Sequence, residues 1–233
     1  WLYATLEAAA QSDLFTKRLV DVSKAVGTEG LRQKAYLGIH RSDYMLHEPC
    51  LTVEPCFLQV ELNTIASSMA AHASKSTDLH RFLLGRYGAG TGAAAEAIQL
   101  HCGSSLNTTG EILEHLPENN VLQHIPAALA EAHKLYGVTD AVVVMIVQGD
   151  ERNYADQRWF EYVLWTDHSI PLVRKTLREI RDECVLDADS GRLRFTGGAE
   201  VSVAYFRAGY TPDDYPTEAE WEARLLLERS LAI

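Results

Sequence analysis

The stretch AVVVMIV, residues 141–147, runs directly into QGDERNYADQR, residues 148–158, and this junction decides how the chain is organised. The seven apolar residues do not alternate with polar ones, and the run is far too short to span a bilayer. They fit a strand buried on both faces of a parallel sheet. The polar GDERN that follows predicts a βα loop, and the spacing from about Tyr154 to Asp167 predicts an amphipathic helix. IPLVRKT (170–176) is a second strand, reached by a connection long enough for a parallel crossover. RLRF and EVSVAYF flank TGGA and predict a hairpin. Thr217-x-x-Glu220 is a capping box that opens a last helix through EAEWEARLLLERS. The order β-α-β-(α)-β-β-α predicts a layered α/β domain from about residue 138.

Upstream the pattern is mixed. Residues 1–26 carry a helical apolar stripe with Gly27 as a stop. Tyr36 to Ile39 predicts a short strand entering the polar turn His40-Arg41-Ser42-Asp43. Pro55 precedes a strand containing Glu61, and helices follow over about 67–84 and 122–136. Between them, residues 85–120 are small, Gly-rich and loosely patterned, which predicts a variable surface loop. GAGTGA (88–93) superficially matches a dinucleotide-binding turn, but it follows a helix-like stretch where that turn needs a strand.

Composition narrows the class. The 233 residues are 47% apolar and 23% charged, as in an ordinary globular chain. A net charge of −11 argues against general attraction to nucleic acid, and no apolar run suits a membrane span. Four scattered cysteines without a C-x-x-C read as reduced thiols in a cytoplasmic protein. The first residues lack a signal-peptide pattern, and a start at Trp1 suggests a piece of something longer.

Candidate chemistry gathers at strand ends, where open α/β sheets bind ligands. Glu151, Asn153 and Gln157 fall in the loop and first helical turn after strand 141–147, though Asn153 also reads as a helix N-cap. Arg207-Ala208-Gly209-Tyr210 ends the strand EVSVAYF. Its guanidinium suits a carboxylate, or an internal pair with Asp213 or Asp214. Arg41 lies after strand 36–39. In QVELNTIASS (59–68), Val60 and Leu62 alternate with Glu61 and Asn63, which share the opposite face of a strand. That face is either plain exposed polarity or an oxygen-rich seat for a hard cation such as Mg²⁺. Arginines, amides and a cation seat together suit ATP-driven activation of a carboxylate.

The stretches LGIHRSDYML (37–46), QVELNTIASS (59–68), ERNYADQRWFEY (151–162), PLVRKTL (171–177), VAYFRAGYTPDDYP (203–216) and WEARLLLERS (221–230) resemble the eukaryotic-type glutathione synthetase family, in the family's order and over most of the chain. The resemblance implies an ATP-grasp ligase that joins γ-glutamylcysteine to glycine through an acyl phosphate. It implies a three-layer substrate-binding domain with a mainly parallel sheet (138–233), preceded by a helical and mixed α/β part of the ATP-grasp body (1–137). It implies Mg²⁺ on Glu61 and Asn63, with Glu61 also near ATP. Arg41, Ile65, Ala66, Ser67, Ser68, Glu151, Arg152, Asn153, Gln157, Arg207, Ala208, Gly209 and Tyr210 would contact γ-glutamylcysteine. Arg207 and Arg41 would be its main anchors, a homodimer the assembly. The family's ATP-binding lysine, its glycine-rich loop and its glycine site lie beyond the last matching motif, so the isolated chain is not expected to complete catalysis. A non-catalytic γ-glutamylcysteine-binding protein and a ligase with another acceptor are the other readings.

Overall fold

Strand β3 (Val142–Ile146) is the centre of the molecule, with all five residues buried. In the computed structural model, which describes residues 2–50, 53–87, 92–102, 109–114 and 116–233, β3 is flanked on both sides by parallel neighbours. These are β4 (Leu172–Lys175) and β7 (Val201–Phe206), in the order β4-β3-β7. A strand with partners on both edges and helices on both faces has no solvated side, which is why its sequence does not alternate.

Alternation of Cβ directions sends Val143, Met145 and Val147 to one face. There they meet Leu122 and Leu129 of α6 (Val121–Tyr136) and Phe160 and Leu164 of α7 (Tyr154–His168). Val142, Val144 and Ile146 point the other way, onto Leu177 and Ile180 of α8 (Leu177–Glu183) and Ala223 and Leu227 of α9 (Glu218–Arg229). The result is a helix–sheet–helix sandwich. Capping boxes open α8 at Thr176/Glu179 and α9 at Thr217/Glu220. Tyr215 stacks on Trp221 at 4.1 Å between ring centroids, and Phe15 closes against both rings.

Several expectations are corrected. The N-terminal helix is two helices, α1 (Leu2–Ser12) and α2 (Leu14–Glu29), because the Asp13 carboxylate accepts from the amides of Phe15 and Thr16 and so starts a new helix. Gly27 does not stop α2; Gly30, at φ 97°, does. Residues 36–39 form no strand. Leu37 and Ile39 instead pack as a strap against the α6/α7 side of the core, and the strand begins at the expected turn, as β1 (Arg41–His47). RLRF and EVSVAYF share a single bridge, Arg194 to Glu200. β6 (Leu193–Phe195) pairs with β5 (Cys184–Leu186), and β7 joins the central sheet. Within 85–120, helix α3 (Ala70–Tyr87) runs on to Tyr87, and α4 (Ala93–Cys102) and α5 (Thr109–Glu114) follow. The alanine-rich start of α4 has the helix propensity that the glycine count obscured. Of GAGTGA, residues 88–91 lie outside the described residues.

Among the described residues, no helix is long and apolar enough to cross a membrane. Burial, with Glu183 nearby, pushes the Cys184 thiol up to about 12. Cys184 is therefore expected to resist a thiol reagent at pH 8 in the folded chain and to react once guanidinium unfolds it, while exposed Cys56 reacts in both. Labelling followed by peptide mapping checks this.

Candidate active site

Two constellations hold the residues singled out from the sequence. The first sits on the hairpin of β1 and β2 (Cys56–Asn63), an antiparallel ribbon in which Arg41 faces Asn63 and Asp43 faces Glu61. Directly opposed residues share a face. The pairing thus collects Arg41, Asp43, Glu61 and Asn63 into one polar square. Arg41 grips Asp43 with two nitrogens, Nε–Oδ1 at 2.8 Å and Nη2–Oδ2 at 3.0 Å, and its Nη2 stands 3.9 Å from Glu61. The Asn63 amide donates to Glu61 at 3.0 Å and to Asp43 at 3.3 Å. Hydrogen bonding from Arg41 holds Asp43 below the usual carboxylate range. Among the described residues no three His, Cys, Asp or Glu side chains cluster as a metal site. The square offers two carboxylates and one amide, an all-oxygen donor set that suits a hard cation. The expected apolar face of β2 is not covered: Val60 and Leu62 are 59% and 53% exposed.

The second constellation lies at the carboxyl ends of β3 and β7 and centres on Asp156, which the sequence did not single out. Asp156 is fully buried in the first turn of α7. Its Oδ2 accepts from Arg207 Nη2 at 2.9 Å and from the Met69 amide at 3.2 Å. Its Oδ1 accepts from the amides of Ala71 at 2.9 Å and His72 at 3.2 Å and faces the His72 imidazole at 3.3 Å. One carboxylate therefore neutralises Arg207 and caps the first turn of α3. Burial pushes the Asp156 carboxyl upward, but the Arg207 charge and the hydrogen bonds outweigh it and leave the group below its ordinary value. Arg207 is 5% exposed, and among the described residues its Nη1 is buried without a hydrogen-bond partner, as is the neighbouring Tyr205 hydroxyl. The internal partner expected at Asp213 or Asp214 is Asp156 instead. Asp214 accepts from the amides of Gly209, Tyr210 and Thr211 and so shapes the loop after β7.

Residues 65–69 link the two constellations. Ala66 and Met69 have positive φ, 52° and 71°, which costs a residue with a Cβ. Ser67 Oγ bonds the carbonyls of Ile39 and Asn63, and the Ser68 carbonyl is 3.5 Å from Arg41 Nη1. Ile65, Gly209 and Tyr210 line a recess of about 320 Å³ with Arg224 and Glu228. Gly209 sits at φ 88°, with Tyr215 and Phe206 against the place a Cβ would take, so no other residue fits there without movement. Buried Gln157 donates to Glu151 at 2.5 Å and accepts from Arg174 at 3.0 Å. Glu151 also accepts from the Asn153 backbone N–H at 2.7 Å. Asn153 precedes α7 without a side-chain cap bond, and Arg152 is exposed. Ala208 is buried at the base of the loop.

This arrangement occurs on a chain whose residues 141–233 match the eukaryotic glutathione synthase family. The likeness to glutathione synthetases extends upstream of the matched domain. Glutathione synthetase of Dictyostelium discoideum is 43% identical over 95% of this chain and 44% of its own length. The chloroplastic glutathione synthetase of Solanum lycopersicum is 38% identical over all of this chain and 38% of its own length. Glutathione synthetase of Homo sapiens is 37% identical over all of this chain and 44% of its own length. The chain thus spans less than half the length of these relatives. Among solved structures, a glutathione synthetase-like effector from Globodera pallida in its apo form superposes with a TM-score of 0.68 over 97% of this chain and 46% of its own. At 16% identity that likeness speaks for the fold alone. The matched segment is a mixed α/β unit with a parallel three-stranded sheet.

Proposed function

We propose that this chain is the substrate-binding part of a glutathione synthetase, an ATP-dependent ligase that joins γ-glutamylcysteine to glycine. A carboxylate is a poor acyl donor at neutral pH. The γ-phosphoryl group of ATP passes to an oxygen of the cysteinyl carboxylate, giving ADP and an acyl phosphate. The glycine amine then attacks the carbonyl carbon and loses a proton, and the C–O bond to phosphate breaks. Such a reaction needs positioned charge rather than a protein nucleophile.

The observation that carries the reading is Arg207: a buried guanidinium fixed through Nη2 by Asp156, with Nη1 unpartnered among the described residues, at the end of a parallel strand. Nη1 suits a substrate carboxylate once the strained 65–69 segment, which shares Asp156 with it, shifts. Arg41 is the second carboxylate anchor. Glu151, aimed by the Gln157 side chain and the Asn153 backbone N–H, takes the ammonium of the γ-glutamyl end. Arg152, Ile65 to Ser68 and Ala208 to Tyr210 complete the pocket. Glu61 and Asn63 would hold Mg²⁺, which when bound supplies charge neutralisation for the ATP phosphates; Glu61 also lies toward ATP. In this proposal residues 1–137 belong to the ATP-grasp body and 138–233 to the substrate domain. The protein acts in the cytoplasm as a homodimer, with neither nucleic acid nor membrane as partner.

Phosphate release with Mg-ATP, γ-glutamylcysteine and glycine tests this, on the chain and on the product of its full reading frame. The expected result is glycine-dependent release by the latter and none by the chain alone. Binding of γ-glutamylcysteine without release by either would replace the ligase with a binding protein.

A further inference from the structure

The hairpin square contains a conflict. Asp43 and Glu61 stand directly opposite each other, an arrangement that like charges disfavour. What makes it tolerable is the nitrogen set against them: the Arg41 fork on Asp43, and the Asn63 amide shared by both carboxylates. A divalent cation on Glu61 and Asn63 would stand close to that guanidinium, and two positive groups cannot share one pair of carboxylates without repulsion. Arg41 is thus the internal occupant of the charge position that a cation would take.

We propose that Asp43 is an exchangeable carboxylate. It holds Arg41 while the hairpin face is free of metal, and it turns to a divalent cation beside Glu61 and Asn63 when one is present, leaving the Arg41 fork for a substrate carboxylate. The identity of that substrate rests on the ligase reading; the exchange rests on the four side chains. The Arg41, Asp43 and Glu61 side chains are 42%, 34% and 57% exposed, so the swap needs no opening of the core. Nη1 of Arg41 already reaches the Ser68 carbonyl, at the end of the segment that leads to Asp156 and Arg207. The released fork therefore has a short path toward the second constellation. Asn63 has to turn its amide over to present oxygen, which its half-buried position on the ribbon permits. Asp43 is in this scheme a positioning residue for Arg41 and a ligand for the cation in turn.

The test is direct titration of the chain with Mn²⁺ alone, following free Mn²⁺ by electron paramagnetic resonance, with circular dichroism as a control for folding. Glu61→Gln is expected to weaken binding at least about tenfold, and Asp43→Asn likewise. Arg41→Gln is expected to tighten it about tenfold, the effect of one unit charge removed near a divalent ion in high dielectric. A second readout needs no substitution: γ-glutamylcysteine should bind the wild-type chain several-fold more tightly when Mn²⁺ is saturating, and Mn²⁺ more tightly when γ-glutamylcysteine is. If Glu61→Gln weakens Mn²⁺ but Arg41→Gln fails to tighten it, the exchange is overturned and the ligase reading stands. If Glu61→Gln changes nothing, no cation uses this face and the proposal falls with the metal assignment.

Discussion

Asp156→Ala is expected to destabilise the chain by about 3–5 kcal/mol, the range for breaking a buried ion pair by removing one partner. The substitution strands the Arg207 guanidinium, whose side chain is 2% exposed, and at once uncaps the amides of Met69, Ala71 and His72 at the start of α3. Typical domains hold only about 5–15 kcal/mol in total, so this is a large share. Asp156→Asn keeps the shape and one acceptor oxygen but loses the charge, and it should fall between Ala and wild type. Urea unfolding at constant slope measures both. A loss under about 1 kcal/mol for Ala would mean that the pair is open to water and not the junction described. The acid limb follows from the same group. Its folded value is depressed, so its stabilisation is present above the unfolded value near pH 4 and is lost as pH falls through the lower folded value.

That junction also marks the limit of what the sequence could say. β3 was legible because burial on both faces leaves an unbroken apolar run, and α9 because Thr217 and Glu220 stand at capping-box spacing. Glu61 and Asn63 were legible as a pair because a strand's period of two puts them together. Asp43 was not, since its place beside Glu61 depends on the register of a second strand, and HRSD reads as a turn. Asp156 was invisible for a similar reason. Its acidic position in the first turn of α7 is ordinary, and the amides it caps lie 84 to 87 residues earlier. Val60 and Leu62 show the reverse failure. Alternation predicts a covered face, but among the described residues the β1–β2 ribbon has no third strand. Apolar patterning says which side wants cover, not whether this stretch of chain supplies it.

Arg207→Lys should separate the observed role of Arg207, holding the fold, from the proposed one, holding the substrate. An ammonium at the end of the side chain can still pair with Asp156, so most of the stability is expected to remain. It cannot also offer the second nitrogen that Nη1 provides, and one point charge cannot meet two carboxylates in a planar fork. Calorimetry is therefore expected to show γ-glutamylcysteine affinity falling at least about 100-fold, as for loss of a charged, buried hydrogen bond of about 3 kcal/mol. Arg207→Met loses both roles, and its stability has a pH signature. Without the arginine the burial that favours the neutral acid is opposed only by hydrogen bonds, and the Asp156 value rises. The stability gap between wild type and Met variant should then be wide at pH 7 and narrow as pH falls toward 4, where the variant no longer has to bury a charge. Lys binding γ-glutamylcysteine as tightly as wild type would show that Nη1 never reaches the ligand. In that case Arg207 belongs to the architecture of α3 and α7, and the proposed carboxylate anchoring falls back on Arg41.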